Sequence, residues 1–167
     1  ESLRSATLDA RVAEHPDQEK LRLEKEMLEE VQSELKNLRG RERGLAHRDI
    51  NKGWKEIKRL EKQMAQDILD RAEVICSTCI GAGHEILSDR LFPFVLLDEA
   101  TQSSEPSSLV PLSRGSRQVV MVGDHRQLPP TVISRRAEDG GLNRSLFERL
   151  IDSGIPVNML EVQYRMH

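Results

Sequence analysis

Apolar residues in the first part of the chain recur at spacings of three, four and seven, a pattern typical of helices with one narrow apolar seam. One run spans 16–38 and another spans 50–68, with Gly40 and Gly44 between them. Two such helices joined by a short break predict an antiparallel, coiled-coil hairpin over residues 1–72. Each seam is too narrow for a globular core, so we expect the hairpin to protrude. The seam residues are Leu21, Leu28, Val31, Leu35, Leu38, Ile50, Trp54, Ile57, Leu60, Met64 and Ile68.

Short apolar runs replace the helical period from residue 73 onward. Four strand candidates alternate with three helical or loop segments, which predicts parallel α/β winding. Ligands of such sheets bind beyond the carboxyl ends of the strands, so polar residues at those ends are functional candidates. The strand candidates are 74–77, 92–97, 118–122 and 156–160, and the segments between them are 83–88, 105–112 and 142–152.

Three polar clusters follow this pattern, two of them directly after a strand candidate. The clusters resemble, in order and in spelling, three motifs of superfamily 1 helicases: Walker B, the coupling motif and the nucleotide-contacting motif. The closest resemblance is to the branch that includes senataxin and the regulator of nonsense transcripts. The clusters are Asp98-Glu99-Ala100-Thr101, Gly123-Asp124-His125-Arg126-Gln127 and Gln163-Tyr164-Arg165-Met166-His167.

The resemblance covers residues 73–167 and implies a partial P-loop NTPase sheet of the RecA-like type. By this resemblance, 73–167 form the C-terminal part of a first RecA-like helicase domain, and 1–72 correspond to a stalk-like arm. The implied activity is ATP hydrolysis that drives movement along RNA or DNA. A non-catalytic member of the same fold, which binds nucleic acid or scaffolds partners, is the alternative.

The implied catalytic residues are Asp98, Glu99 and Gln127. Phosphoryl transfer to water needs a metal on the phosphates and a group that orients the water, and carboxylates suit Mg²⁺. The resemblance implies that Asp98 and Glu99 hold the metal and that Glu99 acts on the attacking water. It also implies that Gln127 contacts the γ-phosphate, with support from Asp124. A surface acid pair and a plain turn are the simpler interpretations of the same residues.

ATP and Mg²⁺ are therefore the implied cofactors. In the resembled family, the tyrosine that matches Tyr164 packs on adenine and the arginine that matches Arg165 reaches the terminal phosphate. The chain contains no G-x-x-x-x-G-K-[ST] segment, whose amides and lysine hold the phosphates in such enzymes. We therefore expect this sequence to be a piece of a longer helicase, and inactive by itself.

Small hydroxyls and glycine amides after the first strand candidate can approach a nucleic-acid backbone closely. The resemblance assigns this role to Ser77, Thr78 and Gly81, with Pro130 added, and a structural turn is the alternative. Cys76 and Cys79 form a C-x-x-C pair without a second pair for zinc, so we expect buried strand cysteines.

Charge is unevenly distributed along the chain. The formal net charge is −3, yet 36–59 contain nine basic and three acidic residues. This basic tip is either a solvated helical surface or a contact for nucleic-acid phosphates. The arm is also a candidate for protein partners. With no apolar run long enough for a membrane span, we expect an intracellular protein of the nucleus or cytoplasm.

Overall fold

The computed structural model describes residues 3–162 and residue 164. The chain divides into two compact units, Glu1–Cys76 and Ser77–His167. Within the described ranges, no helix is long and apolar enough to cross a membrane.

The described part of the first unit is mainly helical up to Arg71. Its main elements are α1, Leu8–Ala13, α2, Gln18–Glu34, and α3, Gly40–Arg71, preceded by a 3-10 turn at Leu3–Ala6. The α1 helix begins where the Thr7 hydroxyl accepts a hydrogen bond from the Ala10 N–H, at 3.3 Å. Helix α3 begins ten residues before the predicted apolar run at position 50, so Gly44 lies inside the helix. That glycine is exposed with open space around it, and packing elsewhere along α3 outweighs its low helix propensity.

Helices α2 and α3 pack along the predicted seams. A core cluster of Leu21, Leu28, Ile50, Ile57, Leu60 and Met64 joins them. Lys25 of α2 forms an ion pair with Glu61 of α3 at 2.8 Å, and His15 lies 3.7 Å from Asp67. Fully burying side chains such as Ile57 and Met64 stabilises the unit by about 1.5–3 kcal/mol each.

The prediction for one seam residue was wrong. Trp54 was placed in the apolar seam of the second helix, but 46% of it is exposed. The inward position belongs to its neighbour Gly53, where an added Cβ would lie 2.8 Å from Leu28 Cδ1. Because the helices approach this closely at a glycine, the adjacent tryptophan is turned out of the interface.

The second unit contains a small parallel sheet. Strand β1, Phe94–Leu97, pairs in parallel with β2, Gln118–Met121, in a register that sets Phe94 beside Gln118 and Leu97 beside Met121. Helix α4, Glu105–Leu112, connects the strands with the predicted bounds. Helices α5, Arg135–Asp139, and α6, Leu146–Asp152, follow, and α5 was not predicted.

Two of the four predicted strands do not form. Residues 74–77 and 156–160 are irregular. The segment 83–88, expected to be helical or loop, contains the 3-10 turn Glu85–Leu87, which follows another at Gly81–Gly83. Val74 and Leu160 are 78% and 85% exposed. An extended apolar segment becomes a strand only when a neighbour accepts its backbone hydrogen bonds. The described residues supply no such neighbour to either segment.

The sheet is covered on one face. Val95, Leu97 and Ala100 are buried, with Phe92, Leu112, Met121 and Phe147 packed against them. On the other face, Phe94 and Leu96 are 53% and 56% exposed. The prediction of buried strand cysteines was also wrong, because Cys76 is exposed and Cys79 is only half-buried, outside any strand.

Candidate functional site

The carboxyl ends of β1 and β2 are tied together beyond the last paired residues. The Val122 N–H donates to the Leu97 carbonyl at 2.8 Å, and the Ala100 N–H donates to the Val122 carbonyl at 2.9 Å. The two loops that follow the strands therefore leave the sheet side by side. They carry Asp98 and Glu99 on one side and Asp124 and Gln127 on the other.

Asp98 and Glu99 lie in a tight turn at the end of β1. Glu99 has φ 51° and ψ 39°, and it is the one non-glycine residue with positive φ among the described residues. This left-handed conformation costs about 1–2 kcal/mol for a residue with a Cβ. Asp98 Oδ1 accepts the Glu99 N–H at 3.0 Å, and Glu99 Oε2 accepts the Gln102 side-chain amide at 3.1 Å. Both carboxylates are exposed and keep further oxygen lone pairs for a ligand.

Gly123 allows the second loop to touch the first. An added Cβ at Gly123 would lie 3.1 Å from Thr101 Cγ2 and 3.2 Å from the Thr101 backbone nitrogen. Thr101 is buried, and its hydroxyl has no hydrogen-bond partner within the described part of the chain. The two loops are therefore closely apposed at Gly123 and Thr101.

The Asp124 carboxylate organises the loop after β2. Its Oδ1 accepts the Arg126 N–H at 2.9 Å, and its Oδ2 accepts the Gln127 side-chain amide at 3.2 Å. The bond from the Arg126 backbone, followed by the bond from Gln127, lowers the pKa of Asp124 below its ordinary value. Asp124 is thus an ionised acceptor that holds the Gln127 side chain in place.

A cleft of about 460 Å³ opens beside these loops. It is lined by Thr78, Glu99, Gln102, Ser103, Ser107 and Pro130, among others. The cleft thus joins Glu99, a predicted catalytic residue, to Thr78 and Pro130, which were predicted to contact nucleic acid. The serines of this lining were missed by sequence reasoning, although the run Ser103-Ser104 and Ser107-Ser108 offered a signal.

The loop that carries Ser77, Thr78 and Gly81 is held next to this cleft. Cys79 packs on the sheet core, and its sulfur accepts the Ser103 hydroxyl at 3.8 Å. Thr78 Oγ1 accepts the Gly81 N–H, and the Ser77 hydroxyl donates to the Thr78 carbonyl, both at 3.0 Å. Ser77 and Gly81 do not line the cleft but shape the turn that does.

The last predicted cluster is only partly described. Tyr164 is 90% exposed, so the structure does not bring it to the two loops. Gln163, Arg165 and His167 lie outside the described residues.

No group of three or more His, Cys, Asp or Glu side chains is arranged for a metal ion in 3–162 and 164. Mg²⁺ does not require such a cluster, since it is commonly bound by one or two carboxylates together with waters and phosphate oxygens. The exposed pair Asp98 and Glu99 fits that kind of site.

The fold and the site define the class of protein. Two parallel strands carry polar side chains at one edge of the sheet, which is where parallel α/β sheets bind their ligands. A family model described as "AAA domain" matches residues 2–135. The chain therefore belongs to this AAA domain family, which has the P-loop NTPase fold.

Curated relatives narrow the assignment within that class. Regulator of nonsense transcripts 1 of Dictyostelium discoideum is 52% identical over 108 residues, 65% of this chain and 8% of that protein. ATP-dependent helicase NAM7 of Saccharomyces cerevisiae is 50% identical over 114 residues, 68% of this chain and 12% of that protein. Probable helicase MAGATAMA 3 of Arabidopsis thaliana is 48% identical over 102 residues, 60% of this chain and 12% of that protein.

These relatives confirm the resemblance to superfamily 1 helicases of the regulator-of-nonsense-transcripts type. The chain spans only 8% to 12% of the length of the three relatives.

Proposed function

We propose that this chain is part of an ATP-dependent helicase or translocase that acts on single-stranded RNA or DNA. The observation that carries the proposal is the junction of two loops at one sheet edge. The acid pair Asp98–Glu99 and the Asp124–Gln127 pair are tied through the backbone bonds of Val122 and the contact of Gly123 with Thr101. Relatives of this chain are named ATP-dependent helicases.

Each member of the site has a proposed role. Asp98, with Glu99 beside it, would hold Mg²⁺, which when bound neutralises charge on the phosphates. Glu99 orients the attacking water and accepts its proton, because its carboxylate is exposed and anchored by Gln102. Gln127, fixed by Asp124, contacts the γ-phosphate through a neutral amide. Tyr164 and Arg165 are proposed to contact adenine and the terminal phosphate.

The cleft beside Glu99 is the proposed path of the nucleic-acid backbone. Thr78 and Pro130 line it, and Ser77 and Gly81 complete the adjoining turn. Because Glu99 and Gln102 lie in the same cleft, a strand bound there would touch the loop that carries the catalytic acid. This contact offers a route by which nucleic acid stimulates hydrolysis.

The roles of the two parts of the chain are also proposed. Residues 1–72 act as a stalk-like arm, an antiparallel hairpin with partner-binding capacity, and 73–167 form the C-terminal part of a first RecA-like domain. Two contacts support the antiparallel order. Lys25 of α2 meets Glu61 of α3, and Leu28, further along α2, meets Gly53, which comes earlier in α3. An intracellular location in the nucleus or cytoplasm accompanies this function.

The test is Glu99→Gln in the full-length parent enzyme. The amide keeps the size of the side chain but cannot accept the proton, so turnover should fall by roughly 10²–10⁴-fold. Nucleotide binding, followed by equilibrium titration, should persist. Glu85→Gln, at an exposed glutamate in the 3-10 turn Glu85–Leu87, is the matched control and should leave turnover unchanged. Turnover of the Glu99 variant within about threefold of the parent would instead favour the non-catalytic, nucleic-acid-binding alternative.

A further inference from the structure

The solvent side of α3 carries a straight basic stripe. Arg41, Arg48, Lys55, Lys58 and Lys62 recur at spacings of seven, seven, three and four, which aligns them along one face of a helix. All five are exposed. The buried residues of α3, such as Ile50, Ile57 and Met64, occupy the opposite side. The stripe therefore runs along α3 on the side away from its packing with α2.

Three cations of the stripe have no partner among the described residues. In the described part of the molecule, the side chains of Arg48, Lys55 and Lys58 form neither an ion pair nor a hydrogen bond. Nearby Arg59, by contrast, is held by two hydrogen bonds to Glu56, at 2.6 and 2.8 Å. Three unneutralised charges within eleven residues, about 15 Å of helix, form a surface complementary to a polyanion.

An aromatic side chain flanks these charges. Trp54 is 46% exposed, adjacent to Lys55 and one turn before Lys58. Burying so large a side chain would normally stabilise the fold, and here the close approach at Gly53 leaves it outside. Unpaired cations beside an exposed aromatic are the components with which proteins bind single-stranded nucleic acid without sequence preference.

The surroundings of Trp54 favour single-stranded nucleic acid over a lipid surface as the ligand. A helix that lies on a membrane presents a wide apolar face beside its cations. The apolar face of α3 is instead buried against α2, and the exposed neighbours of Trp54 on its own side are His47, Asn51 and Lys58.

We propose that the outer face of α3 is a second binding surface for single-stranded RNA or DNA, separate from the cleft of the NTPase unit. Trp54 stacks on a base, and Arg48, Lys55 and Lys58 contact phosphates. The surface goes beyond the proposed ATP-driven function, because binding here requires neither ATP nor the second unit.

The test uses the whole 167-residue chain with mixed-sequence single-stranded RNA and DNA oligonucleotides. Trp54 is the only tryptophan of the chain, so its emission reports directly on this surface. Oligonucleotide should quench Trp54 emission in the absence of ATP. Anionic phospholipid vesicles serve as the comparison. A blue shift with vesicles and no response to either oligonucleotide would assign the surface to lipid and overturn the proposal.

Charge variants locate the phosphate contacts. The triple variant Arg48→Gln, Lys55→Gln and Lys58→Gln keeps good helix formers while removing three charges. Its salt slope of binding, measured by anisotropy, should be smaller by about 2, since each phosphate contact contributes about 0.7. The matched control Arg11→Gln, Lys20→Gln and Arg117→Gln removes the same charge from other exposed sites. Equal slopes for the two triple variants would overturn the proposal and assign binding to the cleft.

Aromatic variants separate stacking from packing. Trp54→Leu should weaken binding by roughly 5- to 150-fold, the equivalent of one stacked base, while Trp54→Phe should retain most of the affinity. Circular dichroism verifies that both variants stay helical, which is expected because the side chain is already half outside the fold. Equal affinity of the leucine variant and the unmodified chain would exclude stacking at Trp54 and overturn the proposal.

Discussion

Two residues at the ends of the strands carry most of the local constraint on the site. Glu99 adopts a left-handed conformation that disfavours side chains, yet the position carries a carboxylate. Gly123 has no side chain at the point where Thr101 approaches within about 3 Å of the space a Cβ would fill. A strained acidic residue after one strand and a sterically required glycine after the other are typical of functional sites. In such sites the positioning of side chains costs stability.

Gly123→Ala should destabilise the second unit. The new Cβ would lie 3.2 Å from the Thr101 backbone nitrogen, which cannot rotate away, and overpacking of this kind costs about 1–3 kcal/mol. Denaturant unfolding of the chain measures the loss. Gly140→Ala is the matched control, because its φ is −80° and the added Cβ meets only ordinary contacts at 3.4 Å. Equal unfolding midpoints for the two variants would show that the Thr101 contact does not constrain the loops.

Helices α4 and α6 are linked by an ion pair that makes the second unit sensitive to acid. Arg149 donates to both carboxylate oxygens of Glu105, at 2.7 and 2.8 Å. The hydrogen bonds from Arg149, together with its charge, lower the pKa of Glu105. Because the folded pKa lies below the unfolded value of about 4.3, the stabilisation is present above that pH and is lost as the pH falls through the folded pKa.

A double-mutant cycle of Glu105→Gln and Arg149→Gln tests this linkage. The coupling free energy should be favourable at pH 7 and should disappear in acid, when Glu105 is protonated. Unfolding midpoints at a series of pH values supply the measurement. Arg135→Gln, at an exposed arginine of α5, is the control and should show no such pH dependence. A coupling that is unchanged between neutral and acidic pH would contradict the assigned ion pair.

At the scale of the whole molecule, the sheet is open. Phe94 and Leu96 expose more than half of their surface on the face that β1 turns away from the core. Parallel sheets are normally covered on both faces, so this apolar face is suited to packing against further elements of an NTPase domain. The sequence also lacks the phosphate-binding G-x-x-x-x-G-K-[ST] segment.

The 167-residue chain alone should therefore not hydrolyse ATP. Without the amides and lysine of a P-loop, the β- and γ-phosphates have no cradle, and Asp98 and Glu99 have nothing to act on. Phosphate release, with and without single-stranded RNA, should equal a protein-free blank. The full-length parent, assayed in parallel, is the positive control. Nucleic-acid-stimulated release by the isolated chain would contradict the proposed division of the site.

The sequence by itself determined the two strands and the polar residues that follow their carboxyl ends. The apolar runs before Asp98 and Asp124 fixed β1 and β2 because buried parallel strands must be apolar up to the edge where polar residues begin. The bounds of α4 match the helical or loop segment expected between the two strands. The residues of these sequence motifs sufficed to identify the family.

The tertiary structure alone decided which elements complete their pairing and which surfaces meet. The apolar segments at 74–77 and 156–160 have strand composition, but the described chain offers them no neighbouring strand. Trp54 fits a helical seam by spacing, yet the close approach of α2 at Gly53 turns it outward. The cleft that joins Thr78 to Glu99 depends on contacts between residues far apart in sequence. Periodicity reports the local preference of each segment, whereas strand partners, close approaches and clefts arise only when distant segments share the same space.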